Sequence, residues 1–295
     1  MKADLHIHSK YSLDGEYSVG EILKEAKAAS LNVISITDHN LVKALPEAIP
    51  ASADFKITVI PAIEIDCNYK GTDLHVLGYN IDWHSNDFAI LEDDMTGKVM
   101  ESFGRMIENL RKLGIAIDAS EVLEKAVGTL PTVELIAEVL LGNEKYAGIR
   151  ELDPYRSGGN RSGMPSLNFY LDFFAQGKPA YVKIDLMDYA DVLQLINNNK
   201  GVAVIAHPGL NFRGREEVIK DLLKMGAKGI EALNNYHDED QIQFFAEVAI
   251  KNSAIMTCGS DFHGRTKPLI RLGEFRKIDR YDAYVVESVE ELLCR

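Results

Sequence analysis

Nine residues of this chain stand out as candidate ligands for divalent metal ions: His6, His8, Asp14, His39, Glu64, His75, His207, Asp261 and His263. Imidazole and carboxylate ligands suit zinc, manganese or iron, and such ions can activate water. Thiolate does not join the set, because the three cysteines, Cys67, Cys258 and Cys294, are widely spaced and form no CxxC. Their odd number also argues against a disulfide framework.

His6 and His8 lie in "DLHIHSKYSLDG", at the end of a short apolar run. On a strand, side chains at i and i+2 share a face, so both imidazoles can reach one ion while Ile7 points away. Taken alone, the pair fits two hydrogen-bonded histidines at a strand end equally well. The spacing recurs in Asp261 and His263 of "GSDFHG", and two such pairs are harder to read as ordinary polar residues. Glu64 stands inside the apolar "PAIEID". A carboxylate there is costly unless it is bound to metal, hydrogen-bonded or paired with a Lys or Arg. His207 ends the apolar run of "IAHPG", where it could equally cap a strand. Asp38 precedes His39 and is placed to orient an imidazole or fix its tautomer. His84, after "NIDW", and His237, among the acids of "NNYHDED", are expected to be solvated.

Gathering residues so far apart in sequence requires a fold whose strand ends converge, and the pattern is that of an α/β fold with parallel strands. Strands are expected at 3–7, in "VISITDHN", at 57–65, 74–79, 180–184, 201–207 and 229–233, and in 254–263. Almost every candidate ligand falls at or just beyond the end of one of them. Ser18 and Glu21 form an S-x-x-E capping box ahead of the first helix. Between about 87 and 177 no strand is evident. A long amphipathic helix there is closed by Gly114, and further helices begin near Ser120 and near Pro131, with proline in the first turn. "DPYRSGGNRSGMPS" reads as a loop. The organisation expected is a strand-and-helix domain of 1–86 and 178–295, interrupted by a helical insertion domain of 87–177.

At 295 residues, 46% hydrophobic and 26% charged, the chain has the composition of a folded protein. Its net charge of −13 argues against an extended nucleic-acid surface, but leaves room for a small anionic substrate held by metal ions or a few local cations. No apolar run approaches the ~20 residues that cross a bilayer, and "MKADLHIHSK" lacks a signal-peptide pattern, so the expected location is the cytoplasm. Oligomeric state is not legible.

In order and spacing, "DLHIHSKYSLDG", "ISITDHN", "AIEID", "LHVLGY", "IAHPG" and "GSDFHG" resemble the PHP (polymerase and histidinol phosphatase) metal-dependent phosphoesterases, over about 1–85 and 178–265. The helical insert and "FFAQGKPAYV" at 173–182 are similar to the nucleotide phosphoesterase branch. The resemblance implies a distorted, TIM-like (β/α)7 barrel with a mainly α-helical insertion, and two or three divalent ions (Mn, Fe or Zn) at the strand ends. Carried over by position, His6, His8, Glu64 and Asp261 would hold one ion. Glu64, as a bridge, would hold a second with His75 and His207, and Asp14, His39 and His263 would hold a third. Asp261, His263 and Asp38 would serve catalysis, in which activated water attacks phosphorus without a covalent enzyme intermediate and His263 is one candidate to protonate the leaving alkoxide.

Arg156, Arg161, Lys178 and Arg213 are the cations expected near the phosphate, each with an ordinary reading as surface charge. "TVELIAEVLL" lacks the basic and histidine residues that relatives in this branch carry there. The substrate implied is a small phosphomonoester: a nucleoside monophosphate, a 3′,5′-bisphosphate or the 5′ end of a short oligonucleotide, the insert forming one wall of the cleft. Histidinol-phosphate phosphatase is the nearest alternative. An amidohydrolase also opens with H-x-H but usually needs a bridging lysine, where this chain has Glu64. A non-catalytic, metal-stabilised module is the third reading.

Overall fold

The computed structural model describes residues 1–12, 14–126 and 130–295. Nine strands are found among them: β1 (Ala3–Ile7), β2 (Val33–Ile36), β3 (Thr58–Val59), β4 (Ala62–Tyr69), β5 (Thr72–Tyr79), β6 (Met187–Asp188), β7 (Val202–Ile205), β8 (Gly229–Asn234) and β9 (Ile255–Gly259). They form two sheets, a parallel β1-β2-β3 and a mixed β6-β4-β5-β7-β8-β9. The fold is therefore α/β, but not all-parallel: β5 runs antiparallel to both β4 and β7.

The reversal comes from a turn the sequence reading missed. Lys70 and Gly71 link β4 to β5 with φ of 50° and 84°. Positive φ at both central residues is what a two-residue hairpin turn of type I′ requires, and glycine meets it without a Cβ clash. Asn-Gly or Asp-Gly is the usual signal, and Lys-Gly is a weaker one. The hairpin carries β4 past the expected end at 65 as far as Tyr69.

The expected strand 57–65 is in fact two strands in different sheets. Pro61 stands between them, and without an N–H it cannot continue a ladder. The expected strand 180–184 is absent. Ala180 and Val182 are buried instead in the core of the helical segment, with Ile184 packed against it, so their alternation serves another core. The capping box is present: Ser18 accepts from the Glu21 N–H and Glu21 bonds back to the Ser18 N–H, opening helix Val19–Ala28.

Two compact units are distinguishable. The first comprises Met1–Ile90, Leu186–His263 and Ile270–Arg295, and contains every strand. One of its cores is built on Ile7, Ile22, Leu23, Ile34 and Phe262. The second comprises Leu91–Asp185 with Gly264–Leu269, and is helical among its described residues. Its core gathers Phe103, Leu110, Ile136, Leu140, Leu152 and Phe169. Helix Asn86–Lys112 begins in the first unit and runs into the second. Near Pro131 the helix starts later than expected, at Val133, because Thr132 is the N-cap and takes the Leu135 N–H; the proline precedes the cap. The glycine-rich stretch after Asp153 is bracketed by short helices, Arg150–Tyr155 and Pro165–Phe169.

Candidate metal centre

The nine candidate ligands all belong to the first unit, and ligand-type atoms of eight of them fall into three groups within 4.8 Å. The groups are His6, His8, Glu64 and Asp261; His8, Asp14, His39 and His263; and His39, Glu64 and His75. His207 joins through Glu64, its Nε2 lying 3.1 Å from Oε1. Not all of them sit at strand ends. Glu64 and His75 stand within the β4–β5 hairpin, because the ladder continues beyond them to the turn.

The Asp261 and His263 pair also departs from expectation. β9 ends at Gly259, so pleat alternation does not orient these two. Asp261 has φ of 58° and donates its N–H to the carbonyl of His6, while His8 N–H donates to Phe262. His207, at φ 22°, is likewise bent out of its strand. Non-glycine residues in such conformations cost about 1–3 kcal/mol each and persist where surrounding contacts enforce them.

The first group tests whether an ion fits. His6 Nε2 lies 3.1 Å from His8 Nε2, 3.0 Å from Glu64 Oε2 and 3.3 Å from Asp261 Oδ1. His8 Nε2 lies 3.1 Å from each of the same two oxygens. Ligands at about 2.0 Å around one tetrahedral ion are separated by about 3.3 Å, so these five edges match the spacing of a metal's donor set. Two imidazole nitrogens and two carboxylate oxygens facing one another at this range also need a positive charge among them.

Glu64 connects the groups. Oε2 belongs to the first, while Oε1 faces His75 Nδ1 at 2.9 Å and His207 Nε2 at 3.1 Å. Asp14 Oδ2 lies 2.7 Å from His263 Nε2 and 3.8 Å from His39 Nε2. Burial pushes the Glu64 carboxyl up, but His6, His39 and His75 outweigh it and hold it well below the usual range. Asp14 is likewise held low against burial by His263 and His39. Burial pulls His6 down, yet Glu64, Glu231 and Asp261 raise it well above an ordinary imidazole. His39 is raised against burial by Glu64, Asp66 and Asp14. His8 is lowered, by burial and by its neighbour His263.

Behind the ligand-type atoms stands a ring of acceptors. Glu231, fully buried, takes the Nδ1–H of His6 at 3.0 Å and the backbone N–H of His207 at 2.7 Å. Ser12 donates to Asp14 at 3.0 Å and lies 3.2 Å from His8 Nδ1, which it accepts from. Asn211 Oδ1 lies 3.3 Å from His207 Nδ1, and the Asp261 carbonyl lies 2.8 Å from His263 Nδ1. Tyr236 donates its hydroxyl to Asp261 Oδ2 at 2.6 Å, fixing the oxygen opposite the one that faces the histidines. Glu231, Tyr236 and Asp66 were missed from sequence. For Asp66 a signal existed: it stands two residues after Glu64, the same i, i+2 spacing as the histidine pair.

Among the described residues Asp38 makes no hydrogen bond or ion pair with an imidazole. Its carboxylate accepts from the N–H of Ser9 at 2.6 Å and the Ser9 hydroxyl at 2.7 Å, so it braces the turn after β1 instead of orienting His39. His237 is not solvated but fully buried, its Nδ1–H donating to the Ala232 carbonyl and its Nε2 accepting from Gly209 N–H. Its acidic neighbours in sequence point elsewhere because Asp238 caps the following helix. His84 is exposed, its ring tilted against that of Trp83.

Of the four cations expected near the phosphate, Arg156, Arg161 and Lys178 belong to the second unit and Arg213 to the first. Arg156 spends its guanidinium on Asp153 and on the carbonyls of Ile149 and Tyr146. Arg161 forms a two-pronged pair with Asp172. Both sets of bonds lie inside the second unit, where they tie its short helices together. Lys178 is exposed in that unit. Arg213 is exposed in the first, with one long contact to the Tyr236 carbonyl at 3.4 Å.

Mixed α/β sheets presenting clustered imidazoles and carboxylates at ligand spacing mark a metal-dependent hydrolase. The PHP domain model matches residues 4–238, and the chain belongs to the PHP family; it is a metal-dependent hydrolase of phosphoric esters. It is 29% identical over 266 residues to a 5′-3′ exoribonuclease of Haemophilus influenzae, covering 89% of this chain and 90% of that one. It is 28% identical over 266 residues to a 3′,5′-nucleoside bisphosphate phosphatase of Chromobacterium violaceum, covering 88% and 86%. The solved structure of an amidohydrolase from Chromobacterium violaceum with bound sulfate superposes with a TM-score of 0.76 at 26% identity, over 94% of this chain and 92% of that one. Among the described residues no helix is long and apolar enough to cross a membrane.

Proposed function

We propose that the chain releases phosphate from a small nucleotide-type phosphomonoester: a nucleoside monophosphate, a 3′,5′-bisphosphate, or the 5′ end of a short oligonucleotide. Relatives named as an exoribonuclease and a bisphosphate phosphatase support this substrate class. The observation that carries the reading is the set of four donors, His6, His8, Glu64 and Asp261, at the mutual spacing of one ion's ligands. In this reading they hold a first ion. Glu64, His75 and His207 hold a second, and Asp14, His39 and His263 a third. Segments 1–86 and 178–295 form a barrel domain around the insertion 87–177. Single parallel bridges at Ile7–Phe262 and His39–Glu64, which link the two sheets, support the distorted barrel.

Bound Mn, Fe or Zn ions supply Lewis acidity to water and to phosphate oxygens. The protein supplies the rest. Glu64 presents one oxygen to each of two donor groups and so sets their separation. Glu231, Ser12 and Asn211 hold the Nδ1 atoms of His6, His8 and His207 and so aim the rings. His263 is held at Nδ1 by the Asp261 carbonyl and turns Nε2 toward Asp14, the orientation of a ligand of the third ion. The side chains of His75 and Asp66 are 29% and 20% exposed while those of His6, His8 and Glu64 are 0%, so phosphate approaches from the His75 side. Arg213 is the cation assigned to meet it.

Metal analysis of purified protein, alongside phosphate release from adenosine monophosphate, adenosine 3′,5′-bisphosphate, short 5′-phosphorylated oligonucleotides and histidinol phosphate, tests the proposal. Nucleotides are expected to turn over fastest, and Asp261→Ala to abolish release while the protein stays folded. The name of the Chromobacterium violaceum structure makes amides and lactones the proper counter-panel. Their hydrolysis without phosphate release overturns the reading.

A further inference from the structure

Five of the six imidazoles of the centre share one arrangement. His6, His8, His39, His207 and His263 each turn Nδ1 toward an oxygen that is not one of the clustered ligand atoms and direct Nε2 inward. Four of those oxygens belong to a carboxylate, a side-chain amide or a carbonyl, which can only accept. Ser12 already donates its proton to Asp14. In all five rings Nδ1 therefore carries the proton and the Nε2 lone pair faces the ions.

His75 is inverted. Its Nδ1 lies 2.9 Å from Glu64 Oε1, while its Nε2 lies 3.3 Å from Asp66 Oδ1 on the outer side. The same Asp66 oxygen lies 3.0 Å from His39 Nδ1, and Asn40 donates to the other oxygen at 2.8 Å. Strand pairing produces this convergence: Asp66 is directly opposite His75 across the hairpin, and a parallel bridge sets His39 beside Glu64.

We propose that Asp66 is a shared positioning residue: it holds the proton on Nδ1 of His39 and on Nε2 of His75, so that His39 ligates through Nε2 and His75, alone among the six, through Nδ1. The inference rests on the metal-centre reading above. It makes the second and third ions depend on one carboxylate that binds neither. The first ion, whose histidines are held by Glu231 and Ser12, does not depend on it.

Two measurements test it without recourse to turnover. In zinc-loaded protein with 15N-labelled histidine, the His75 ring is expected to show Nδ1 bound to metal and a proton on Nε2; the reverse assignment overturns the proposal. In metal titrations of chelator-stripped protein, Asp66→Ala is expected to weaken uptake beyond the first ion by about 10–100-fold, the usual effect of removing a group that orients a ligand. Asp66→Asn, whose amide oxygen still accepts, is expected to restore most of that affinity although the charge is gone. Titration of Asp66→Ala indistinguishable from wild type overturns the proposal, as does Asn behaving like Ala. Should Asp66→Ala fail to fold, the labelled wild-type protein decides alone. Wild-type protein that takes up ions but releases no phosphate from any ester defeats the function reading and leaves this inference standing; protein that takes up no ion defeats both.

Discussion

His237 is buried with both ring nitrogens engaged, and the engagements dictate one protonation state. Nδ1–H donates to Ala232, and Nε2 must accept from Gly209, so a second proton would set N–H against N–H. Burial accordingly pushes the imidazole down to about 4. The unfolded chain, with an ordinary value near 6.5, binds the proton first as pH falls. Stability from this group is thus fully present above pH 6.5 and is lost on the way down to pH 4, about 3 kcal/mol in all. We expect urea unfolding of His237→Gln to lose less stability than wild type between pH 7 and pH 5; equal losses would count against the buried neutral state. Glu231 acts at the same scale. Removing it by Glu231→Ala strips His6 of its anchor and frees the His207 backbone, and is expected to weaken binding of the first ion by about 10–100-fold in chelator-competition titrations.

At the scale of elements, β8 and β9 pair in register at Asn234 and Gly259, and the glycine leaves room for β1. A Cβ there would lie 2.2 Å from the His6 Cβ and 2.5 Å from Glu231 Oε1. The strand can approach β1 only as glycine. Gly259→Ala is expected to cost roughly 1–3 kcal/mol of stability and to lose metal uptake as well. Gly104, in the exposed interior of helix Asn86–Lys112, is the contrasting case: nothing lies within 4 Å of its would-be Cβ. Gly104→Ala should raise the free energy of unfolding by about 0.5–1 kcal/mol, with metal content unchanged. A destabilised alanine variant there would mean that the helix is not continuous through that point.

For the whole molecule, the centre concentrates Asp14, Glu64, Asp66, Glu231 and Asp261 in a chain that already carries −13. Metal-free, it is held together partly by protons. His6, His39 and His75 are raised despite burial, chiefly by Glu64 together with its acidic neighbours. A raised folded value stabilises fully below the unfolded pKa near 6.5 and fades as pH rises through the folded value. Ions displace those protons and bind more tightly at higher pH. The gap in unfolding temperature between metal-loaded and chelator-stripped protein is therefore expected to widen from pH 6 to pH 8. At an ion concentration 100 times the Kd, each site adds about 2.7 kcal/mol. A gap independent of pH would mean that these histidines do not exchange protons for metal.

The sequence by itself determined the chemistry on offer and most of the frame. Period-2 and helical patterns located β1, β2, β5, β7, β8 and β9, the capping box of the first helix and the stretch from 87 to 177, strand-free among its described residues. Residue type and spacing singled out the nine histidines and acids that the first unit gathers. Such features are local: they depend on neighbours within a few positions, and a single chain records them. Tertiary structure decided what depends on distant backbone. It turned β5 antiparallel, broke 57–65 at Pro61, and gave the apolar alternation of 180–184 to the helical core. It sent Asp38 to Ser9 and buried His237. It brought Glu231 to His6 across 225 positions and set Asp66 between His39 and His75. A carboxylate in an apolar strand announces that it needs a partner, but which imidazole it meets is fixed only when the strands are laid side by side.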